Sequence, residues 1–165
     1  MFFGRSAPST RILMVCMGNI CRSPMAQAIA THLAARDMPG VQVQVDSAGT
    51  HAGRGGIPMD PRARTVLAER GYPPVKGKAR PVVDKDFEKF DMILAMDHSN
   101  MTELRQLCPV EHTHKLRLLM EFAPQTGVLE VPDPYYGTVK GFERVMDLCE
   151  AGVLGLLTYV RTIPR

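Results

Sequence analysis

This chain of 165 residues lacks most of the features that would assign it to a class at once. Its four cysteines, Cys16, Cys21, Cys108 and Cys149, have no CxxC spacing, which argues against a disulfide scaffold. No apolar run is long enough to span a bilayer, and residues 1–10, despite a Phe pair, are too polar for a secretory signal. Those ten residues read as a flexible tail ahead of one domain over residues 11–165, and the expected compartment is the cytoplasm. Charge of one sign is nowhere blocked: 20 basic and 17 acidic side chains are interspersed, as in Asp84-Lys85-Asp86. Nucleic acid would draw on a clustered basic face, so a small anionic ligand fits better. No G-x-G-x-x-G follows an apolar run, which excludes the dinucleotide fingerprint. His112 and His114 have no further ligands close in sequence, so neither a metal nor another cofactor is expected.

What is present centres on Val15-Cys16-Met17-Gly18-Asn19-Ile20-Cys21-Arg22-Ser23-Pro24. An apolar run over residues 11–15 predicts a strand, and the spacing of Met25, Ile29, His32 and Leu33 predicts a helix starting near Ser23. A short loop between them would aim consecutive backbone N–H groups and the positive end of the helix at one small volume, which suits an anion. Arg22 can hold two oxygens of a phosphate at once, and Cys16 stands where a thiolate would face the phosphorus from behind. Nucleophilic displacement at phosphate is the chemistry these residues suggest.

Further along, residues 41–45 alternate strictly and predict a strand at a sheet edge, ended by Asp46-Ser47-Ala48-Gly49. A Gly- and Pro-rich stretch over residues 50–61 could wall a site. Asp60 and Pro61 open a helix that Gly71 stops. Residues 91–96 predict a buried strand, followed by Asp97 and a helix around residues 101–107; residues 116–120 predict another short strand. An amphipathic helix over residues 139–160 closes the chain, with Gly152 and Gly155 as weak points. Strands alternating with helices imply a parallel sheet covered on both faces, with a ligand crevice at the carboxyl ends of the strands, where Cys16 and Asp97 both fall.

With these residues in view, the chain resembles the low-molecular-weight protein tyrosine phosphatases. The resemblance spans roughly residues 11–161 and rests on Cys16-x5-Arg22-Ser23-Pro24, Asp46-Ser47-Ala48-Gly49, Asp60-Pro61-Arg62, Ala79-Arg80-Pro81-Val82, Met96-Asp97-x-Ser99-Asn100 and Asp133-Pro134-Tyr135-Tyr136-Gly137. Cys-x5-Arg alone arises by chance; in order with the distant Asp-Pro-Tyr-Tyr-Gly it is specific. It implies a three-layer α/β/α fold around a four-stranded parallel sheet in flavodoxin-like order 2-1-3-4. It also implies hydrolysis of phosphotyrosine through a cysteinyl-phosphate, with Cys16 as nucleophile, Arg22 as phosphate clamp and Asp133 as general acid, then base.

Thiols at helix N-termini beside cations ionise readily, so Cys16 is expected to attack as the anion. A departing phenoxide, whose conjugate acid has a pKa of about 10, needs a proton, and Asp133 is the candidate donor. By resemblance, Ser23 bonds the thiolate, while a left-handed Asn19 and Ser47 brace the loop. The expected substrate-binding set is Met17, Gly18, Asn19, Ile20, Cys21, Ser23, His51, Tyr135 and Tyr136. Substrates would be phosphotyrosine proteins, a bacterial tyrosine kinase among them, and the protein a monomer. Two departures stand out: Thr50-His51-Ala52-Gly53-Arg54 lacks the aromatic that many relatives carry there, and Gly77 with Gln27 replaces a His–Glu pair found in some members.

Plainer readings stand beside these. A lone cysteine is more often a small buried hydrophobe, and it is the loop around Cys16 that argues otherwise. Cys21 either packs behind the loop or, by resemblance, forms a reversible disulfide with Cys16, while Cys108 and Cys149 read as structural. Asp97 reads as a helix cap in preference to a support for the loop. Asp133 with its tyrosines is also ordinary turn chemistry. An arsenate reductase would use Cys-x5-Arg but needs a cysteine relay and has no use for Asp133. A binding module with a dead site would need neither nucleophile nor proton donor. Metal-independent, vanadate-inhibited hydrolysis of an aryl phosphate separates the three.

Overall fold

A strand buried on both faces must be apolar at every position, and Ile12-Leu13-Met14-Val15 is fully buried throughout. In the computed structural model, which describes residues 9–164, this run forms the middle of β1 (Ser9–Cys16). The other strands are β2 (Gln42–Gly49), β3 (Met92–Ala95) and β4 (Leu116–Leu118). All pair in parallel in the order β2-β1-β3-β4. The helices are α1 (Arg22–Asp37), α2 (Pro61–Glu69), α3 (Asp84–Lys89), α4 (His98–Leu107) and α5 (Val139–Thr162).

The two-residue period of the strands sorts the core into two layers. Ile12, Met14, Met92 and Leu94 face α1, α2 and α5, where Ile29, Leu67, Phe142 and Leu156 meet them. Leu13, Val15, Ile93 and Ala95 face the opposite side, against Phe87, Met101 and Leu104 of α3 and α4. This is the three-layer α/β/α arrangement. Complete burial of Phe87 and Phe142 stabilises each layer by roughly 1.5–3 kcal/mol per ring.

Several boundaries differ from the sequence expectation, each for a local reason. Ser9 and Thr10, expected in the tail, belong to β1 because they pair with Gln42 and Val43; the rest of the expected tail lies outside the described residues. β2 continues through Asp46-Ser47-Ala48-Gly49, which pair with residues 13–16 of β1 although their types suggest a turn. α3 had no periodic signal; Asp86 nucleates it by accepting from the Val83 N–H at 2.8 Å. Gly152 and Gly155 do not interrupt α5. A Cβ at Gly155 would stand 1.7 Å from the carbonyl oxygen of Phe122, so the glycine lets the 3-10 turn Leu119–Phe122 approach the helix backbone.

Candidate active site

At the carboxyl end of β1 the chain must pass from strand to helix within five residues, and Asn19 makes this possible. It takes a left-handed conformation, φ 57°, the only non-glycine residue to do so among the described residues, and asparagine is among the few types that tolerate it. Its side chain then fixes the loop from behind. Asn19 Nδ2 donates to Ser23 Oγ at 2.8 Å and to Ser47 Oγ at 2.9 Å, while its Oδ1 accepts from Arg80 N at 3.0 Å. Ser47 in turn donates to Gln27 Oε1 at 2.6 Å. Ser23 Oγ lies 3.0 Å from Cys16 Sγ. The chain Gln27–Ser47–Asn19–Ser23 therefore ends on the thiol. Gly49 allows β2 to end against the loop, because a Cβ there would meet the Met17 carbonyl oxygen at 2.6 Å.

α1 begins without a side-chain cap at Cys21, and the backbone N–H groups of residues 18–22 donate to no protein acceptor among the described residues. Such a helix start, left open and facing a cleft, is an anion site by construction. Cys16 and Arg22 are each 2% exposed at its base.

Arg22 is oriented by half of its guanidinium. Nη1 donates to Asp97 Oδ2 at 2.5 Å and to the Val131 carbonyl at 3.1 Å, which leaves the Nε–Nη2 edge for a ligand. Burial alone would pull the Arg22 pKa down, but Cys16, Asp97 and Asp133 outweigh it and hold it above the ordinary value. Asp97 also caps α4: its Oδ1 accepts from Asn100 N at 2.7 Å, and Asn100 Oδ1 accepts from Asp97 N at 3.2 Å. The sequence reading favoured the cap over the support role; the two carboxylate oxygens do both.

The segment after Val131 brings Asp133 across the cleft, its Oδ2 3.7 Å from Arg22 Nη2. Asp133 Oδ1 accepts from Tyr135 N at 3.1 Å, which closes a tight turn around Pro134. Tyr135 and Tyr136 stack edge to face with centroids 4.9 Å apart, and Tyr136 is 95% exposed. Opposite them, His51 is held by Thr50 Oγ1 at 3.0 Å from its Nδ1 and by its own N–H to the Met17 carbonyl at 2.8 Å.

Of the expected site residues, Cys16, Met17, Gly18, Ile20, Cys21, Arg22, His51, Asp133, Tyr135 and Tyr136 line one cleft. Asn19, Ser23 and Ser47 do not: their side chains lie behind the loop, bonded to one another, because the left-handed turn at Asn19 points its amide away from the opening. The side chains of Asn19 and Ser23 thus brace the loop from behind and do not line the cleft. Cys16, Cys21, Cys108 and Cys149 are all free thiols. Burial, aided by Asp60 and Cys16, pushes the Cys21 thiol up to about 12, so it stays protonated beside Cys16. The sequence reading missed Gln27 as a bonded partner of Ser47, and missed Arg62, which reaches the Asp133 turn from α2. No helix among the described residues is long and apolar enough to cross a membrane.

This geometry has relatives. A protein from Streptomyces coelicolor named low molecular weight protein-tyrosine-phosphatase is 42% identical over 154 residues, covering 92% of this chain and 93% of that one. The crystal structure of a protein tyrosine phosphatase from Entamoeba histolytica, with Hepes in its active site, superposes with a TM-score of 0.88 at 40% identity, covering 92% of this chain and 97% of the other. A more distant neighbour, the YwlE arginine phosphatase, superposes with a TM-score of 0.82 at 28% identity, covering 93% of this chain and 97% of the other. The family model described as low molecular weight phosphotyrosine protein phosphatase matches residues 11–163. The chain belongs to that family of hydrolases, the low molecular weight protein-tyrosine-phosphatases.

Proposed function

We propose that this protein hydrolyses phosphotyrosine in proteins by double displacement at phosphorus. The observation that carries the reading is the convergence of Cys16, Arg22 and Asp133 on one cleft, with the acid 3.7 Å from the clamp. The phosphoryl group sits over the loop, its non-bridging oxygens taking N–H bonds from residues 18–22 and the free edge of Arg22. The Cys16 thiolate attacks phosphorus, the P–O bond to the ring breaks, and the departing oxygen takes the proton of Asp133. The Asp133 carboxylate then removes a proton from water, which attacks the cysteinyl-phosphate; the P–S bond breaks, releasing inorganic phosphate and the thiolate. Ser23 holds the sulfur through both steps.

The arene fits the walls: Met17 and Ile20 are apolar, and Tyr135 and Tyr136 offer ring faces. A phosphoarginine guanidinium, the substrate type of the YwlE neighbour's name, would want carboxylates, and among the lining residues only Asp133 supplies one. Phosphotyrosine proteins, a tyrosine kinase among them, are the substrates on this reading, and the enzyme acts as a monomer in the cytoplasm.

The test is a series of aryl phosphates with graded leaving groups. Asp133→Ala should lose about 10²–10⁴-fold in kcat for phenol-like leaving groups and much less for activated ones. An equal loss across the series would exclude the acid role, and a phosphoarginine peptide cleaved faster than its phosphotyrosine counterpart would exclude the substrate class. Cys16→Ser should abolish turnover while still binding phosphate.

A further inference from the structure

The turn that carries Asp133 has no regular secondary structure, and the Asp133 side chain is 43% exposed. A general acid needs more definition than that, since a misplacement of about 1 Å can reduce rate about 10²-fold. On one side the turn is anchored at Val131, whose N–H donates to the Met96 carbonyl at 2.8 Å and whose carbonyl accepts from Arg22. On the other side the anchor is Arg62. Its Nη2 donates to the Tyr135 carbonyl at 3.0 Å, and its guanidinium lies 4.6 Å from the Phe142 ring centroid and 5.6 Å from that of Tyr135.

Arg62 is itself held. Its Nε donates to Asp60 Oδ1 at 3.1 Å and its Nη2 to Asp60 Oδ2 at 2.9 Å, the fork geometry a guanidinium and carboxylate favour. Asp60 is buried, caps α2 through the Arg62 N–H at 2.8 Å, and donates its own N–H to the Ile20 carbonyl at 2.9 Å. Ile20 belongs to the loop that surrounds the phosphate site. A continuous path thus runs from that loop through Asp60 and Arg62 to the residue two positions beyond the acid. Arg62 does not line the cleft, and no step of the chemistry uses it.

We infer that Arg62 is a positioning residue for Asp133, fixing the acid turn at a set distance from the nucleophile loop through Asp60. The inference rests on the acid role of Asp133 proposed above. Lysine would keep the charge opposite Asp60 but could not bond both its oxygens in a plane and reach the Tyr135 carbonyl at once.

Arg62→Ala should therefore act as a weakened form of Asp133→Ala. Its kcat should fall about 10- to 100-fold for phenol-like leaving groups, with a smaller loss for activated ones and vanadate inhibition changed by no more than about twofold. Arg62→Lys should lie between, and it supplies the test if the alanine variant fails to fold. In the Asp133→Ala background, Arg62→Ala should cause no further loss that depends on the leaving group, because the two residues act as one unit. A loss equal across leaving groups, a loss of vanadate affinity, or full additivity with Asp133→Ala would overturn the inference. If Asp133→Ala alone shows no leaving-group dependence, the acid role fails instead, so the two failures are distinct.

Discussion

Asp97 holds two structures together with two oxygens, and substitution can separate them. Asparagine preserves the Oδ1 acceptor that caps α4, and it is as good a cap as aspartate. It removes the negative charge from beside a guanidinium that is 2% exposed. With Oδ1 kept on the Asn100 N–H, the asparagine NH2 faces Arg22 Nη1, donor against donor, so the charged hydrogen bond made by Oδ2 is lost whole, about 1.5–3 kcal/mol. Loss of a whole buried pair costs about 3–5 kcal/mol, but here the Val131 carbonyl and Asp133 remain near Arg22, which places Asp97→Asn at the lower figure. Asp97→Ala loses the cap as well, a further 1 kcal/mol or so. At about 2–4 °C per kcal/mol for a domain of this size, Tm should fall by about 3–12 °C for asparagine and further for alanine. Far-UV circular dichroism with urea midpoints is the suitable assay, because the chain has no tryptophan. If Asp97→Asn matched the wild type while only Asp97→Ala fell, by about 1 kcal/mol, Asp97 would be a cap alone and the clamp geometry derived above would be wrong.

Two further outcomes concern stability. Gly155→Ala adds a Cβ 1.7 Å from a backbone oxygen that cannot rotate away, so overpacking of about 1–3 kcal/mol or more should exceed the gain of about 1 kcal/mol in helix propensity. Gly152→Ala meets only the flexible Leu119 side chain, at 2.8 Å, and should be much milder; equal urea midpoints for the two variants would contradict this. Burial holds Cys149 protonated up to about 12 in the folded protein, against an ordinary 9.0. Its contribution is therefore complete below pH 9 and lost as pH rises toward 12, by about 1.4 kcal/mol per unit. Stability measured from pH 8 to 11 should fall less steeply in Cys149→Ala than in the wild type, and parallel curves would refute the burial argument.

Periodicity revealed the elements that bury a full face. The run 12–15 is apolar at every position because it is covered on both sides, and Phe142, Val145, Met146 and Cys149 mark α5 by their spacing. The end of β2 was hidden because Asp46 to Gly49 are turn-type residues held in a ladder by β1 and by the adjoining bridge from Gly49 to Pro81. α3 was hidden because six residues are too few to show a period. At the site, residue types revealed the loop and the distant acid, since thiol, guanidinium and carboxylate carry chemistry in themselves. Pairings did not show. That one oxygen of Asp97 reaches Arg22, that Gln27 accepts from Ser47, and that Arg62 reaches Tyr135 are facts of three dimensions. Only the position of Asp97 after an apolar strand hinted at its second task.

The packing of α5 against α1 and α2 has a consequence for when the site comes into being. Phe142, which packs under the Arg62 guanidinium, and the glycine pair that admits the 119–122 turn all lie after Cys16, Arg22 and Asp133 in the chain. A polypeptide emerging during synthesis would present Cys16, Arg22 and Asp133 in order before the helix that seals their layer had been made. Contacts so distant in sequence form late in folding, after loop closure has been overcome. A chain ending at residue 138 would hold every reacting group and still be no catalyst.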